Sequence, residues 1–172
     1  MLLIRPLSVF IGLHGTETTR QVLTDRKAAS ERKRQRALLQ QMPGFVAVLR
    51  EPSHVFEYVN DAYVAIAGPR DFIGRPVREV FPDLAGQNFF ELLDRVYATG
   101  EPFSARAMPV RLAGEDEDRI IDLLYQPTRD DSGQVTGIFV GGYDATQTNR
   151  VARALAESET RYRTLFNSID QG

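Results

Sequence analysis

Cysteine is absent from the chain and histidine occurs only at His14 and His54, so the side chains most used for covalent, redox or metal chemistry are nearly missing. Without a thiol there can be no disulfide, thiolate metal site, cysteine nucleophile, cysteinyl flavin or thioester-linked chromophore. The two histidines stand forty residues apart with no adjacent carboxylate motif, and a metal site built on them would need ligands from far along the chain. No Ser-His-Asp set, phosphate-binding glycine loop, zinc spacing or paired-carboxylate signature occurs, and kinase phosphoacceptor and ATP-binding segments are missing too. The chain is therefore expected to be non-catalytic. The acidic stretch Glu115 to Asp118 lacks the spaced oxygens and closing Glu of a calcium loop and reads as a solvated hairpin tip. What remains is a few polar groups, Asn60, Arg75 and Arg106, scattered among aromatic residues, and an Asp-x-Thr step at Asp144 and Thr146.

These groups sit in a chain of 172 residues, 42% hydrophobic and 26% charged, with a formal net charge of −2. That length suits one ordinary domain with extensions, and the composition is that of a globular protein. Acidic and basic residues are interleaved, which gives no field to draw the chain onto nucleic acid. Residues 1–14 form an apolar leader, broken by Arg5 and Pro6 and too short to span a bilayer. The positive charge lies inside the apolar run, where a signal peptide carries it in front. The leader reads as a disordered or helix-docking segment, with a remnant targeting segment as the alternative, and the chain is expected to be cytoplasmic.

Residues 15–41 contain no proline and are rich in Arg, Lys, Gln and Ala, which predicts a helix. Its basic cluster Arg32, Lys33, Arg34 and Arg36 is diluted by Glu31 and Gln35 and reads as a solvated face. From Phe45 the period becomes extended. Residues 45–49 and 55–59 flank the turn Glu51-Pro52-Ser53-His54 and predict a hairpin. Asn60 and Asp61 can then cap a short helix ending at Gly68-Pro69. Gly74 and Pro76 limit residues 72–81 to an irregular or single-turn segment. An amphipathic helix follows, with Phe89, Phe90, Leu92, Leu93, Val96 and Tyr97 on its apolar positions and Gly100 as its stop. Three extended runs, 103–112, 119–128 and 135–143, complete an α+β fold: about five antiparallel strands with helices on one face and a helix at either end. In the middle run Ile121, Leu123 and Tyr125 alternate with Asp122, Leu124 and Gln126, as in a half-buried strand. Phe56, Tyr58, Tyr63, Ile66, Phe72, Val80, Phe90, Val110, Leu123, Tyr125 and Phe139 are expected to enclose the space between sheet and helices.

The final helix runs from about residue 147 to Ile169. Val151, Leu155, Ser158, Tyr162, Leu165 and Ile169 recur at spacings of four and three, a seam of about three heptads. The competing reading is a helix packed against its own sheet. Arg34-x-Arg36-x-Leu38-Leu39-x-x-Met42 reappears as Arg161-x-Arg163-x-Leu165-Phe166-x-x-Ile169, which suggests that a second copy of the domain follows.

The order Phe56-Glu57-Tyr58-Val59-Asn60-Asp61-Ala62-Tyr63, Ile73-Gly74-Arg75-Pro76, Val80-Phe81-Pro82, Gly133-x-Val135-x-Gly137-x-Phe139-x-Gly141 and Asp144-Ala145-Thr146 resembles a PAS domain. The resemblance covers roughly residues 36–146. It implies a sensory domain at 42–146, preceded by a helix and followed by an output linker helix at 147–172. Such domains resemble the input modules of bacterial sensor histidine kinases, and less often those of diguanylate cyclases. A ligand-free dimerisation scaffold is the alternative. The resemblance implies a ligand pocket for which Tyr58, Asn60, Tyr63, Arg75, Phe90, Arg106 and Tyr125 are candidates, and a signal-coupling role for Asp144 and Thr146. Their oxygens are expected to bind the free amides of the first helical turn. Family members that bind haem use a central-helix histidine, which residues 88–99 lack, and the missing cysteine argues against photoactive flavin. Non-covalent flavin or an organic acid stays open, and the cofactor is unknown. The expected partners are a second copy, bound through both flanking helices, and a small molecule.

Overall fold

A computed structural model describes residues 11–170, with side chains from residue 18 onward. The leader therefore lies outside the described residues except where the first helix already begins, at Ile11, and the His14 side chain lies outside them too. The chain divides into two compact units at Gln41. The first holds one helix, α1 (Ile11–Gln40). Its apolar residues Val22, Leu23 and Leu38 are exposed. At 100° per residue they fall on different sides of the helix, so α1 lacks the single apolar seam expected of a flanking dimer helix.

The second unit carries β1 (Phe45–Arg50), β2 (Val55–Val59), α2 (Asp61–Ala67), α3 (Val77–Val80), a single 3-10 turn at Pro82–Leu84, α4 (Phe89–Thr99), β3 (Phe103–Val110), β4 (Arg119–Arg129), β5 (Val135–Asp144) and α5 (Thr146–Ile169). The strands form one sheet in the order β2-β1-β5-β4-β3, antiparallel throughout. The α+β class, the five strands and both terminal helices are those expected from the sequence.

Local chemistry explains the breaks. Asn60 caps α2, its Oδ1 accepting from Tyr63 N–H at 2.9 Å. Gly68 and Gly100 end α2 and α4 at φ of 79° and 68°, backbone that a side chain disfavours. Gly142 serves closeness: a Cβ there would meet the Asp122 carbonyl at 2.0 Å and the Phe45 ring at 2.5 Å. The outer edge of β2 is not left open. Phe56 N–H donates to Arg75 O at 3.0 Å, Gly74 N–H to Phe56 O at 2.8 Å and Val77 N–H to His54 O at 3.0 Å, which blunts an edge that could pair with another chain.

One face of the sheet and α2, α3 and α4 enclose the core. Phe56, exposed by 1%, meets Tyr63 and Phe72 edge-on at 5.8 and 5.5 Å and Phe81 at 6.2 Å. Such contacts add about 0.5–1.5 kcal/mol per pair beyond area burial.

Two of the expected core residues lie elsewhere. On β5, Ile138 and Val140 belong to the core cluster, so Phe139 between them turns to the other side of the sheet, as the two-residue period of a strand requires. On β2 the pairing with β1 slips between Val48 and Leu49. Phe56 then pairs with core Leu49, but Tyr58 pairs with Val48, outside the core, and Val59 packs inward in its place.

α5 buries none of its residues. Val151, Leu155, Tyr162, Leu165 and Ile169 are 61–77% exposed. A helix packed along its own sheet is thereby set aside, and the apolar stripe lies bare.

Candidate functional site

Between sheet and helices lies a cavity of about 80 Å³, walled by Phe45, Tyr63, Ile66, Ala67, Phe81, Leu84, Phe89, Val110, Leu112, Ile121, Leu123, Tyr125 and Val140. Tyr63 stands on α2 because the Asn60 cap starts that helix two residues before it. Tyr125 points in from β4 by the same alternation that buries Ile121 and Leu123; it is 5% exposed. Among the described residues no protein group hydrogen-bonds either phenol oxygen. Burial pushes both phenols well above the ordinary tyrosine range, and the neighbouring Tyr63 raises Tyr125 further.

A clasp beside the cavity ties its short helices together. Arg70 donates to the carbonyls of Ala67 at 3.1 Å and Val80 at 2.7 Å. It also donates to both oxygens of Asp83, at 3.1 and 3.4 Å, and lies over the Phe81 ring at 4.5 Å. Asp83 Oδ2 accepts in addition from Ala113 N–H at 2.8 Å. Burial alone would raise the Asp83 carboxyl. The Ala113 amide and the Arg70 guanidinium outweigh it and hold the carboxyl below its usual range.

Of the seven sequence-named pocket residues, only Tyr63 and Tyr125 line this cavity. Phe90 is buried in the adjoining core with Arg78 over its ring at 4.8 Å. Asn60 is a structural knot. Its Oδ1 takes Val46 N–H at 2.8 Å as well as Tyr63 N–H, and its Nδ2 donates to Gly44 O at 2.9 Å. Arg75 lies at the covered edge of β2, half exposed, beside Glu79 at 3.7 Å. Arg106 falls in the bulge between Ala105 and Met108 and lines an open groove with Asp122, Leu124, Phe139 and Tyr143. Tyr58 lies outside the cavity for the register reason given above.

Two groupings escaped the sequence. Arg70 and Asp83 are thirteen residues apart with no regular spacing to link them. His54 was read as a turn residue, yet it is 3% exposed, with Nε2 2.8 Å from Asp94 Oδ1, while Arg78 donates to Asp94 Oδ2 at 2.6 Å. Its Nδ1 is buried without a partner. A left-handed backbone at His54, φ 56°, turns the ring inward, and no sequence pattern announces that. Among the described residues no group of three or more His, Asp or Glu is placed to hold a metal.

At the end of β5, Asp144 Oδ1 accepts from Thr146 N–H at 3.0 Å and from its hydroxyl at 2.6 Å. Asp144 therefore serves one free amide of α5, as expected. Thr146 does not. Its Oγ1 instead accepts from Ile120 N–H on β4 at 3.0 Å, and Ala145 N–H returns to Ile120 O at 2.8 Å. The position ahead of α5 is Ala145, which has no side-chain oxygen to offer. Arg119 reaches Asp144 Oδ2 at 3.5 Å and also grips Glu115, while Arg150 of α5 pairs with Glu117. The acidic hairpin tip is thus clasped to the root of α5.

Comparison with known proteins agrees with this architecture. The sequence model of the PAS fold matches residues 39–150. The PAS domain of Bordetella pertussis BvgS is 25% identical over 77% of this chain and 98% of its own, with a TM-score of 0.57. VqmA bound to DPO is 23% identical over 64% of this chain and 56% of its own, at 0.53. The Vibrio cholerae VqmA dimer without target DNA is 24% identical over 67% and 53%, at 0.54. With sheet order, helix placement and sequence match in agreement, the chain belongs to the PAS fold family, a sensory and typically non-catalytic architecture.

Proposed function

We propose that this chain is a cytoplasmic input module. It takes a small molecule into the cavity at Tyr63 and Tyr125 and relays the change through Asp144 and Thr146 to α5. The output is a coiled coil between two copies, leading to a downstream effector of the histidine-kinase type through a further sensory domain.

The observation that carries this reading is the junction. The backbone of β4, a strand that lines the cavity, is hydrogen-bonded to the first residue of α5 through Ile120 and Thr146. A shift of β4 on ligand entry therefore moves the root of a helix that is otherwise unattached to the core. The bare stripe on α5 supports pairing with a second copy, because several large apolar side chains in register rarely stay in water. VqmA, solved with DPO bound, is a similarly folded protein that holds a small molecule.

Hydrogen exchange on the full chain with Asp144→Ala tests the relay. The expected result is faster exchange confined to residues 146–152. Uniform acceleration across the strands would make Asp144 a determinant of the fold instead, and no change would remove it from the junction.

A further inference from the structure

Resting on the reading of the cavity as the input site, we infer that its ligand is a small, uncharged molecule, apolar over most of its surface. Its one carbonyl or hydroxyl oxygen is held by the phenols of Tyr63 and Tyr125.

Size comes first. A volume of about 80 Å³ is roughly half that of the ~150 Å³ engineered cavity that takes benzene. The body of the ligand is thus about five heavy atoms, far below a flavin or a haem. Its polarity follows from the wall. Eleven of the thirteen lining residues carry no polar side-chain atom, so most of the ligand surface meets aliphatic and phenyl carbon. Such a space stays dry and favours an apolar occupant.

The two exceptions are the phenols. Each is a buried group with one proton to donate and, among the described residues, no protein acceptor. An unpaired buried polar group is costly. One oxygen with two lone pairs satisfies both: a carbonyl accepts from each phenol, and a hydroxyl accepts from one while donating to the other. The two rings are close enough for Tyr63 to oppose ionisation of Tyr125. With both held above the ordinary tyrosine range, they act as neutral donors at physiological pH.

Charge is excluded by the surroundings. No acidic or basic side chain lines the cavity. The cation that Tyr63 feels is Arg70, whose guanidinium is already committed to Ala67, Val80 and Asp83. A carboxylate ligand would leave water without a counter-charge, so the organic acid left open by the sequence does not suit this wall.

Three probes of equal size separate these features: 2-butanone, 2-methyl-1-butene, in which a CH2 replaces the carbonyl oxygen, and propionate. Amide chemical shifts of the full chain are titrated with each, for the natural sequence and for Tyr63→Phe, Tyr125→Phe and the double variant. 2-Butanone should give saturable shifts around residues 63 and 125, and propionate none. The ketone should lose about threefold to fivefold in affinity in each single variant and about tenfold or more in the double variant, about fivefold being the worth of one hydrogen bond. The alkene should bind all four proteins alike. The inference is overturned if the ketone-to-alkene affinity ratio is the same in the natural and double-variant proteins, if propionate binds saturably, or if no probe binds. Phenylalanine fills the space of tyrosine, and a thermal melt checks that each variant is folded. None of these outcomes touches the ligand-free exchange experiment on Asp144, so ligand class and relay stand or fall separately.

Discussion

Ile120 and Thr146 are joined twice: Ile120 N–H donates to Thr146 Oγ1 at 3.0 Å, and the Ile120 carbonyl accepts from Ala145 N–H, just ahead of Thr146, at 2.8 Å. Thr146→Val keeps the shape and removes the hydroxyl. It should cost about 0.5–1.5 kcal/mol, one hydrogen bond's net worth. Exchange at Ile120 and across the first turn of α5 should quicken while β1 and β2 keep their protection. Unchanged exchange at Ile120 would mean that the hydroxyl carries no load.

Asn60 ties the start of β1, the end of β2 and the first turn of α2 with one side chain. It is 1% exposed. Asn60→Ala leaves Val46 N–H and Gly44 O without those partners and removes the α2 cap. A loss of about 2–4 kcal/mol is expected in denaturant titration. That is much of a total stability of roughly 5–15 kcal/mol. A loss below 1 kcal/mol would show that water replaces the side chain at little cost.

Asp83 predicts a pH effect whose sign follows from its lowered carboxyl pKa. A depressed folded-state value means that the stabilisation is present above the unfolded pKa of about 3.9 and disappears as pH falls through the lower folded value. Asp83→Asn should therefore be less stable than the natural protein at pH 7 and should lose less stability between pH 5 and pH 2. Parallel acid-unfolding curves for the two proteins would contradict the assignment. Arg70→Ala should lower stability at pH 7 by about 1.5–3 kcal/mol, the range for hydrogen bonds to charged groups.

The stripe on α5 predicts the association state. Sedimentation of the full chain should show a concentration-dependent dimer. Leu155→Asp combined with Leu165→Asp should give a monomer whose sheet melts as before, because neither residue touches the core. A dimer that survives both changes would place the contact elsewhere.

Much of the fold was legible because its signals are local. Gly100 after the apolar face of α4, and the alternation around Tyr125, fixed a helix end and a strand face from a few neighbouring residues. Phe139 and Tyr58 show the limit of this. Phe139 was assigned by residue type, although the period of its own strand points it away, and Tyr58 is displaced by a register slip that no composition reveals. In the candidate site, Tyr63 and Tyr125 were legible as aromatic residues on inward faces. The Arg70–Asp83 clasp and the burial of His54 against Asp94 were not, since each joins groups whose separation follows from chain reversal rather than periodicity. At the junction, an acid followed by a hydroxyl residue suggested two capping oxygens. The sequence had no means of showing that a β4 amide would claim the second.

α5 leaves the sheet as a rod of 24 residues, about 36 Å long at 1.5 Å per residue. Held only at its root, it acts as a lever. A tilt of about 10° at Thr146, produced by a displacement of β4 of only a few tenths of an ångström, carries its far end through about 6 Å, more than one full turn of a helix. A ligand of about five heavy atoms could thus command a movement larger than itself.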